Sequence, residues 1–309
     1  MRRSTVVVVT WRGAEHITAC LDALAAQDRP HRTIVVDNAS DDGSLELAAN
    51  HPSRPKTVRM SRNIGYAGAL AAALSQVDTP FMAWLNDDTA PAADWLGRLE
   101  DALDADPRAA AASARLESMD GVPQSTGVRL TPRGYGADVT ADVTDLPEVF
   151  GFCGGAALVR TSVLTDVGGV PAEFFCYYED TDTAWRMRLA GWTVISVPEA
   201  RVRHAHGAST GIGSRQFHLW NERNRLLTLF RCAPLTVAAR ELIAFTATTA
   251  LLPLRRLTEP APNLRFPLRL RVLGEVLARL PSTLLARTRI SARSSIPRTE
   301  IWRHWAART

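Results

Sequence analysis

The sequence predicts an α/β fold: a mostly parallel central sheet covered by helices on both faces, with a helical extension at the C-terminal end. Three observations predict it. Strand-like and helix-like segments alternate through the first third of the chain, which implies βα units. Each strand-like segment there ends in a polar cluster, as at the ligand-binding rim of a parallel sheet. From residue 217 on, the pattern turns helical, rich in Leu and Arg and interrupted by Pro234, Pro253, Pro260, Pro262, Pro267 and Pro281.

The elements follow in order. TVVVVT (5–10) is a short β-branched run and reads as a buried strand. In EHITACLDALAAQ (15–27), Ile17, Cys20, Leu21 and Leu24 fall at helical spacing. RTIVVDNAS (32–40) is a second strand with a polar end, and DGSLELAANH opens a second helix. KTVRM (56–60) is a third strand, and IGYAGALAAALSQV a helix of small residues. PFMAWLNDD (80–88) is a fourth strand, followed by the helix ADWLGRLEDALDAD. Residues 120–150 are irregular, rich in Gly, Pro and Thr, and read as loops or a small β-meander. A helix is expected near 180–190 and two strands near 193–197 and 200–204. The domain boundaries expected are 1–215 for the α/β body, with halves at about 1–120 and 121–215, and 216–309 for the helical region.

Composition sets the class. The chain has 309 residues, 46% of them hydrophobic and 22% charged, which suits a globular protein with a real core. The formal charge is +4, unevenly spread: beyond residue 254 twelve Arg stand against three Glu, so a basic tail follows an acidic body. Such a tail suits an anionic partner such as a membrane surface. The Leu- and Arg-interleaved stretch 271–290 suits an interfacial helix, or a helical pair packed on the body with Arg outward. Cys20, Cys153, Cys176 and Cys232 have no CxxC spacing, so neither a zinc site nor a disulfide framework is expected, and a reducing, cytoplasmic setting is the simpler reading. The four-Val run after Arg2 and Arg3 is too short for a signal-peptide core. No spanning helix is expected; the nearest stretch, 242–254, is short and contains Pro253.

Four constellations at the strand ends and downstream carry chemistry: Thr10-Trp11, Asp37-Asn38, Arg62-Asn63 and Asn86-Asp87-Asp88 share one rim. Asp37 can accept a hydrogen bond from a base N–H, while Ser40, Asp41 and Asp42 are also candidate helix caps. Asn86, Asp87 and Asp88 offer hard oxygens that, with phosphate oxygens and water, satisfy Mg2+ or Mn2+; as an alternative, Asp88 or Asp94 caps the next helix. Glu179, Asp180 and Asp182 follow an aromatic run that would desolvate a carboxylate and suit a general base, though acids also favour a helix N-terminus. Asp182 and Arg186 are an i, i+4 pair and are assigned to the acceptor side. His204 and His206 lie on one face of a strand, and His204 can supply a nitrogen ligand to the same cation. Arg223, beside Asn224, can bind a diphosphate bidentately, or can belong to a solvated helix face.

Together, VVVVTW, VVDNASDDGS, RNIGYAG, WLNDDT, GFCGGAALVRTSVLTDVGG, EFFCYYEDTDTAWRMRLAGW, VRHAHGAS and ERNRL resemble, in that order, the family 2 glycosyltransferases, in the bacterial branch of rhamnosyl- and galactofuranosyl-type enzymes. The resemblance covers residues 5–224 and implies a GT-A fold. It implies that Asp37 binds the base, that Thr10 lines the base pocket, and that Arg62 and Asn63 lie beside the nucleotide or sugar. It further implies that Asp88 ligates a Mg2+ or Mn2+ ion with Asp87 near the donor sugar, that Asp180 of the Glu179-Asp180 pair is the general base, and that His204 contacts metal or diphosphate. The implied activity is inverting transfer from dTDP-rhamnose or a UDP-sugar to a glycan or polyprenyl-linked acceptor in cell-envelope polysaccharide synthesis, on the inner face of the membrane. A soluble acceptor, or a non-catalytic nucleotide-sugar scaffold, is the alternative. Two departures stand out: only Ala and Leu follow Gly68 where the family often has Asn, and Trp11-Arg12 replaces the common Asn. A dehydrogenase is excluded because TWRGAEH lacks GxGxxG. A nucleic-acid binder is disfavoured by the acidic body and the absence of an aromatic-basic stripe.

Overall fold

The computed structural model describes residues 2–140, 148–205, 213–254 and 261–306. The chain opens with β1 (Ser4–Thr10), α1 (Ile17–Ala25), β2 (Arg32–Asp37), α2 (Ser44–Ala49), β3 (Lys56–Arg59), α3 (Gly65–Leu74) and β4 (Phe81–Asn86). It continues with β5 (Thr89–Pro91), α4 (Trp95–Ala105), β6 (Ala109–Glu117), β7 (Pro123–Ser125), β8 (Val128–Leu130) and β9 (Gly136–Asp138). Then come β10 (Ala156–Arg160), α5 (Thr161–Asp166), α6 (Glu179–Leu189), β11 (Thr193–His204), α7 (Arg215–Cys232), α8 (Leu235–Leu251), α9 (Phe266–Ser291) and α10 (Arg298–Ala306).

The main sheet runs β3-β2-β1-β4-β10-β6-β11-β5, with β7 on β6, and β8-β9 form a separate ribbon. β1 pairs in parallel with β2 and β4, and β6 with β11; β10 and β5 run against their neighbours. The mostly parallel α/β expectation therefore holds. The buried valines of β1 divide by the two-residue period of a strand. Val6 and Val8 meet Ile17, Leu21 and Trp95 from α1 and α4. Val7 and Val9 face a second core that includes Leu70 of α3, Leu226 of α7, Phe245 of α8 and Val272 of α9. The C-terminal helices thus share the core of the sheet.

Four expectations are corrected. The two strands near 193–204 are one, β11, with an irregularity between Val197 and Arg201 that absorbs the break at Pro198. Segment 89–91, for which the sequence predicts no element between the fourth strand and the next helix, is strand β5, because β11 reaches across to pair with it. Pro281 does not break its helix: α9 passes through it for 26 residues, held by packing on α7 and α8. Finally, Leu235–Leu254 is long and apolar enough to cross a membrane, by length and composition alone; the helix begins at Leu235, ahead of the 242–254 stretch read from the sequence. One third of that window is buried in the fold.

Candidate active site

The carboxyl ends of β1, β2 and β4 meet where the strand order reverses, the point at which such sheets bind ligands. Register sets the neighbours: Thr10 lies beside Asp37, and Val9 beside Asn86. The Asp37 carboxylate is fully buried, accepts the Ser40 N–H at 3.2 Å through both oxygens and lies 3.9 Å from Arg59 Nε. Asn38 bridges to α3, donating to the Gly65 carbonyl (3.2 Å) and accepting the Ile64 N–H (3.3 Å). The loop after β1 is tied to the loop after β2 through Arg12 N–H to Ser40 Oγ and Gly13 N–H to Ser44 Oγ. The capping acids are used differently from expectation. Asp41 pairs with Arg12 at 2.8 Å, Asp94 pairs with Arg98 at 2.7 Å, and α2 begins at Gly43, in the left-handed region, with Asp42 accepting the Ser44 N–H. Asn63 Oδ1 accepts the Gly65 N–H at 2.8 Å and shapes the entry to α3; Arg62 is exposed beside it.

The two adjacent aspartates have opposite environments. Thr89 Oγ1 donates to the Asn86 carbonyl (2.6 Å) and turns the chain so that Asp87 and Asp88 diverge. Asp87 is packed against Gly13 and Thr10; burial, with the Asp88 charge adding to it, pushes its carboxyl up to about 6. Asp88 faces β11, where His204 Nε2 lies 3.3 Å from its Oδ1 and the other ring nitrogen lies 3.0 Å from Gln124 Oε1. Burial works against ionised Asp88, but the His204 hydrogen bond and charge outweigh it and hold the carboxyl below its ordinary range. The antiparallel pairing of β5 with β11, His204 opposite Thr89, is what brings these distant residues together. Gln124, which orients the imidazole, was not singled out in the sequence; nothing in its local pattern marks it.

Gly13 is the narrowest point of this rim. A Cβ there would stand 2.0 Å from Asp87 Oδ2 and 2.5 Å from Thr10 Oγ1. Gly13→Ala is therefore expected to displace Asp87 and weaken nucleotide-diphosphate binding by about tenfold, ~1.4 kcal/mol, in titration calorimetry.

The residues present fit a divalent cation shared with a ligand. One carboxylate and one imidazole converge, and among the described residues no group of three or more His, Cys, Asp or Glu side chains could hold a metal by itself. The remaining coordination positions would fall to phosphate oxygens and water, as Mg2+ and Mn2+ accept. His206 lies outside the described residues.

On the other side of the cleft, α6 starts at Glu179. The half-buried Asp180 accepts the Gly154 N–H at 3.0 Å through Oδ2, and the Thr181 N–H (2.5 Å) and hydroxyl (3.1 Å) through Oδ1. Gly154 and Gly155 permit this approach. A Cβ on the first would stand 3.3 Å from Asp180, and one on the second 3.4 Å from Asn86 Nδ2. Consecutive residues thus touch the acid of α6 and the end of β4, which joins the two halves of the site. Burial pushes Glu179 up to about 8, with the neighbouring Asp180 charge adding to the rise; burial also raises Asp180, against its hydrogen bonds. Tyr66, overlooked in the sequence, donates to the Gly154 carbonyl at 2.5 Å. So α3 does supply a polar contact although Ala and Leu follow Gly68; a lone tyrosine in a run of small residues was the available signal.

Three assignments are corrected. Asp182 and Arg186 do not face an acceptor: both are buried, bonded to each other at 2.7 Å, with Arg231 Nε 2.7 Å from Asp182 and Arg186 donating to the Val167 and Gly169 carbonyls. A helix turns about 100° per residue, so Asp182 points away from the direction taken by Asp180. Arg223 is likewise buried, and its guanidinium is spent on Glu275, Asn224 and the Phe174 carbonyl rather than a diphosphate.

The chain is similar to several known proteins. The chain is 28% identical over 239 residues to the N-acetylglucosaminyl-diphospho-decaprenol L-rhamnosyltransferase of Mycobacterium tuberculosis, covering 67% of this chain and 77% of that one. It is 37% identical over 90 residues to galactofuranosyltransferase GlfT1 of Mycolicibacterium smegmatis, covering 28% of this chain and 30% of that one. Its fold is similar, with a TM-score of 0.56 and 20% identity, to the mannosyltransferase PcManGT of Pyrobaculum calidifontis solved with GDP-Man and Mn2+, covering 91% of this chain and 88% of that one. That likeness establishes the GT-A-like fold. The model of glycosyl transferase family 2 matches residues 5–168, which include Thr10, Asp37 and Asn86 to Asp88 but not His204, and this protein belongs to that family.

Proposed function

We propose that this glycosyltransferase is metal-dependent and inverting, and moves a sugar from a dTDP- or UDP-linked donor, rhamnose foremost, to a polyprenyl-linked glycan acceptor in cell-envelope polysaccharide synthesis. The observation that carries the reading is the convergence of Asp88 and His204 at 3.3 Å on the donor rim, with Asp180 set across the cleft by the Gly154–Gly155 turn. Asp37 holds the base, reading a feature common to thymine and uracil. Asp180 takes the proton of the acceptor hydroxyl as that oxygen attacks the anomeric carbon. A cation bound by Asp88 and His204 would neutralise charge on the departing diphosphate. The mycobacterial relative, whose name gives a decaprenol-linked acceptor, supports the choice of acceptor class.

Thermal-shift titration with dTDP, UDP and GDP, each with and without Mn2+, checks this. A Mn2+-dependent rise in Tm with dTDP or UDP is expected, abolished by Asp88→Ala and reduced by His204→Ala. An equal rise without Mn2+, or one untouched by Asp88→Ala, would count against the metal assignment.

The reading extends to the membrane. Phe266, Leu270, Leu277 and Leu284 of α9 are exposed in an approximate seven-residue stripe, and Ile243, Leu251 and Leu254 are exposed on and after α8. Arg265, Arg271 and Arg289 are exposed on the same long helix or at its start. Apolar side chains between basic groups suit the interface of an anionic bilayer. The buried Glu241 of α8, 3.3 Å from Arg225, and the packing of Phe245 on the core favour a helix lying on the membrane over one crossing it. The protein should float with phosphatidylglycerol vesicles at low salt, and Leu277→Asp with Leu284→Asp should abolish this; failure of the wild type to float would refute the membrane contact.

A further inference from the structure

The segment before Asp180 is held in an unfavourable backbone conformation. Among the described residues six non-glycine positions have positive φ, and three of them, Phe175 (69°), Tyr177 (69°) and Tyr178 (70°), lie in the four residues before Glu179. L-residues avoid this region, and aromatic side chains gain nothing locally from it. Such a conformation persists only where surrounding structure enforces it.

The enforcing contacts are on the carbonyls. Asn224 of α7, fully buried, directs its single amide nitrogen at three of them: Phe174 (3.0 Å), Cys176 (2.9 Å) and Tyr177 (2.8 Å). Arg223 donates to the Phe174 carbonyl as well (2.7 Å) and, through Nε, to Asn224 Oδ1 (2.8 Å), which fixes the amide with its nitrogen toward the loop. The remaining carbonyl, that of Phe175, accepts the Ala67 N–H of α3 at 3.0 Å. Gly65 permits that approach, since a Cβ there would lie 2.2 Å from the same oxygen. Phe217 and Trp220, on the same face of α7 as Asn224, pack against Tyr177 (5.1 Å) and Phe175 (4.7 Å). Every carbonyl from Phe174 to Tyr177 is therefore captured from outside the segment, and the segment ends in the two carboxylates of the site.

We propose that Asn224 is a positioning residue for transfer: its amide, oriented by Arg223, holds residues 174–178 in the form, with positive φ at Phe175, Tyr177 and Tyr178, that delivers Asp180 to the Gly154 turn. No other side chain type serves this position equally. Asp has the same shape but no N–H, and would set a carboxylate against three carbonyls. This inference rests on the reading of Asp180 as the base; the donor rim of Asp37, Asp88 and His204 lies on other elements and is left intact by changes at Asn224.

The test compares Asn224→Asp and Asn224→Ala with the wild type in steady-state transfer, in Mn2+-dependent thermal shift with the nucleoside diphosphate, and in amide hydrogen exchange. A displaced base is expected to lower kcat by roughly 100-fold or more with donor KM within about twofold. The nucleotide-induced shift should persist, and amides of residues 175–182 should exchange about tenfold faster while those of β1 and β4 do not change. If either variant fails to fold, Arg223→Lys, which removes the Nε donor to Asn224, should give the same split in milder form. Unchanged kcat and unchanged exchange at 175–182 would overturn the proposal, as would kcat and nucleotide binding falling together. Absence of transfer by the wild type with any nucleotide sugar would instead defeat the functional reading, and the exchange data would still decide whether Asn224 holds the segment.

Discussion

Asp180→Asn should keep its fold and lose transfer by about 10²- to 10⁴-fold in kcat, the usual worth of a positioned general base. The side chain is isosteric, and the amide oxygen can still accept the Thr181 N–H, while the amide nitrogen in place of Oδ2 loses the hydrogen bond from the Gly154 N–H. What disappears is the basic oxygen at the acceptor side of the cleft. Donor KM should change little, because Asp37, Asp88 and His204 stand on separate elements. A radiolabelled transfer assay with donor and lipid-linked acceptor reads both constants, and near-normal turnover would remove Asp180 from the role. The pH profile offers a second check. Burial raises both Glu179 and Asp180, so the acid limb of kcat should lie above the ordinary aspartate range and belong to the pair rather than to one residue. Asp180→Asn should erase the dependence on its ionisation from whatever activity remains.

Asp182→Asn, two residues away, should instead destabilise the protein strongly. The Asp182 carboxylate neutralises Arg186 and Arg231, each bonded at 2.7 Å and each buried. Arg231 would keep Glu173 at 2.7 Å, but Arg186 would be left in the core with no carboxylate, at about 3–5 kcal/mol. For a domain with about 5–15 kcal/mol in hand that is a large fraction. Urea denaturation should show a lower midpoint at unchanged slope, and the fraction that remains folded in the cold should still bind nucleotide. The pH dependence has a definite sign. Burial opposes ionisation of Asp182, but Arg231 and Arg186 outweigh it and hold the pKa below the usual value. The carboxylate therefore contributes stability above the unfolded-state pKa of an aspartate, and that contribution is lost as pH falls through the lower folded value. The variant should accordingly be less sensitive to acid than the wild type. A loss of stability below 1 kcal/mol would show that the buried pair matters little.

These two residues show what could be read in advance and what could not. Both are acids at a helix start, so sequence placed them in one cluster at the site, Asp180 as the base and Asp182 with Arg186 on the acceptor side. The turn of α6 separates them by two steps of about 100°, sending Asp180 to the cleft and Asp182 into the core. Arg186 and Arg223 were misplaced for a related reason: a guanidinium that satisfies buried carbonyls has the same letter as one that binds phosphate. The donor rim was legible because parallel strands place their ends together, so Thr10, Asp37 and Asn86 needed only the strand order. Asp88 and His204 were named as partners from their types, but the pairing that joins them runs through β5, whose three residues carry no strand signal alone. Tyr66, Gln124 and Asn224 act through contacts with backbone or side chains far away in sequence. No local pattern records those.

The core shared by the sheet and the C-terminal helices has a consequence for the proposed membrane contact. Leu226, Phe245, Leu268 and Val272 fill the same apolar space as Val7, Val36 and Met82. A detachable tether can be shed, swapped or cleaved while the enzyme goes on working. Here the helices with the outward leucines are a wall of the catalytic body, and cutting them away would strip one side of the sheet. If these helices make the proposed membrane contact, place of work and capacity for work are inherited together, since removing them would also remove the fold.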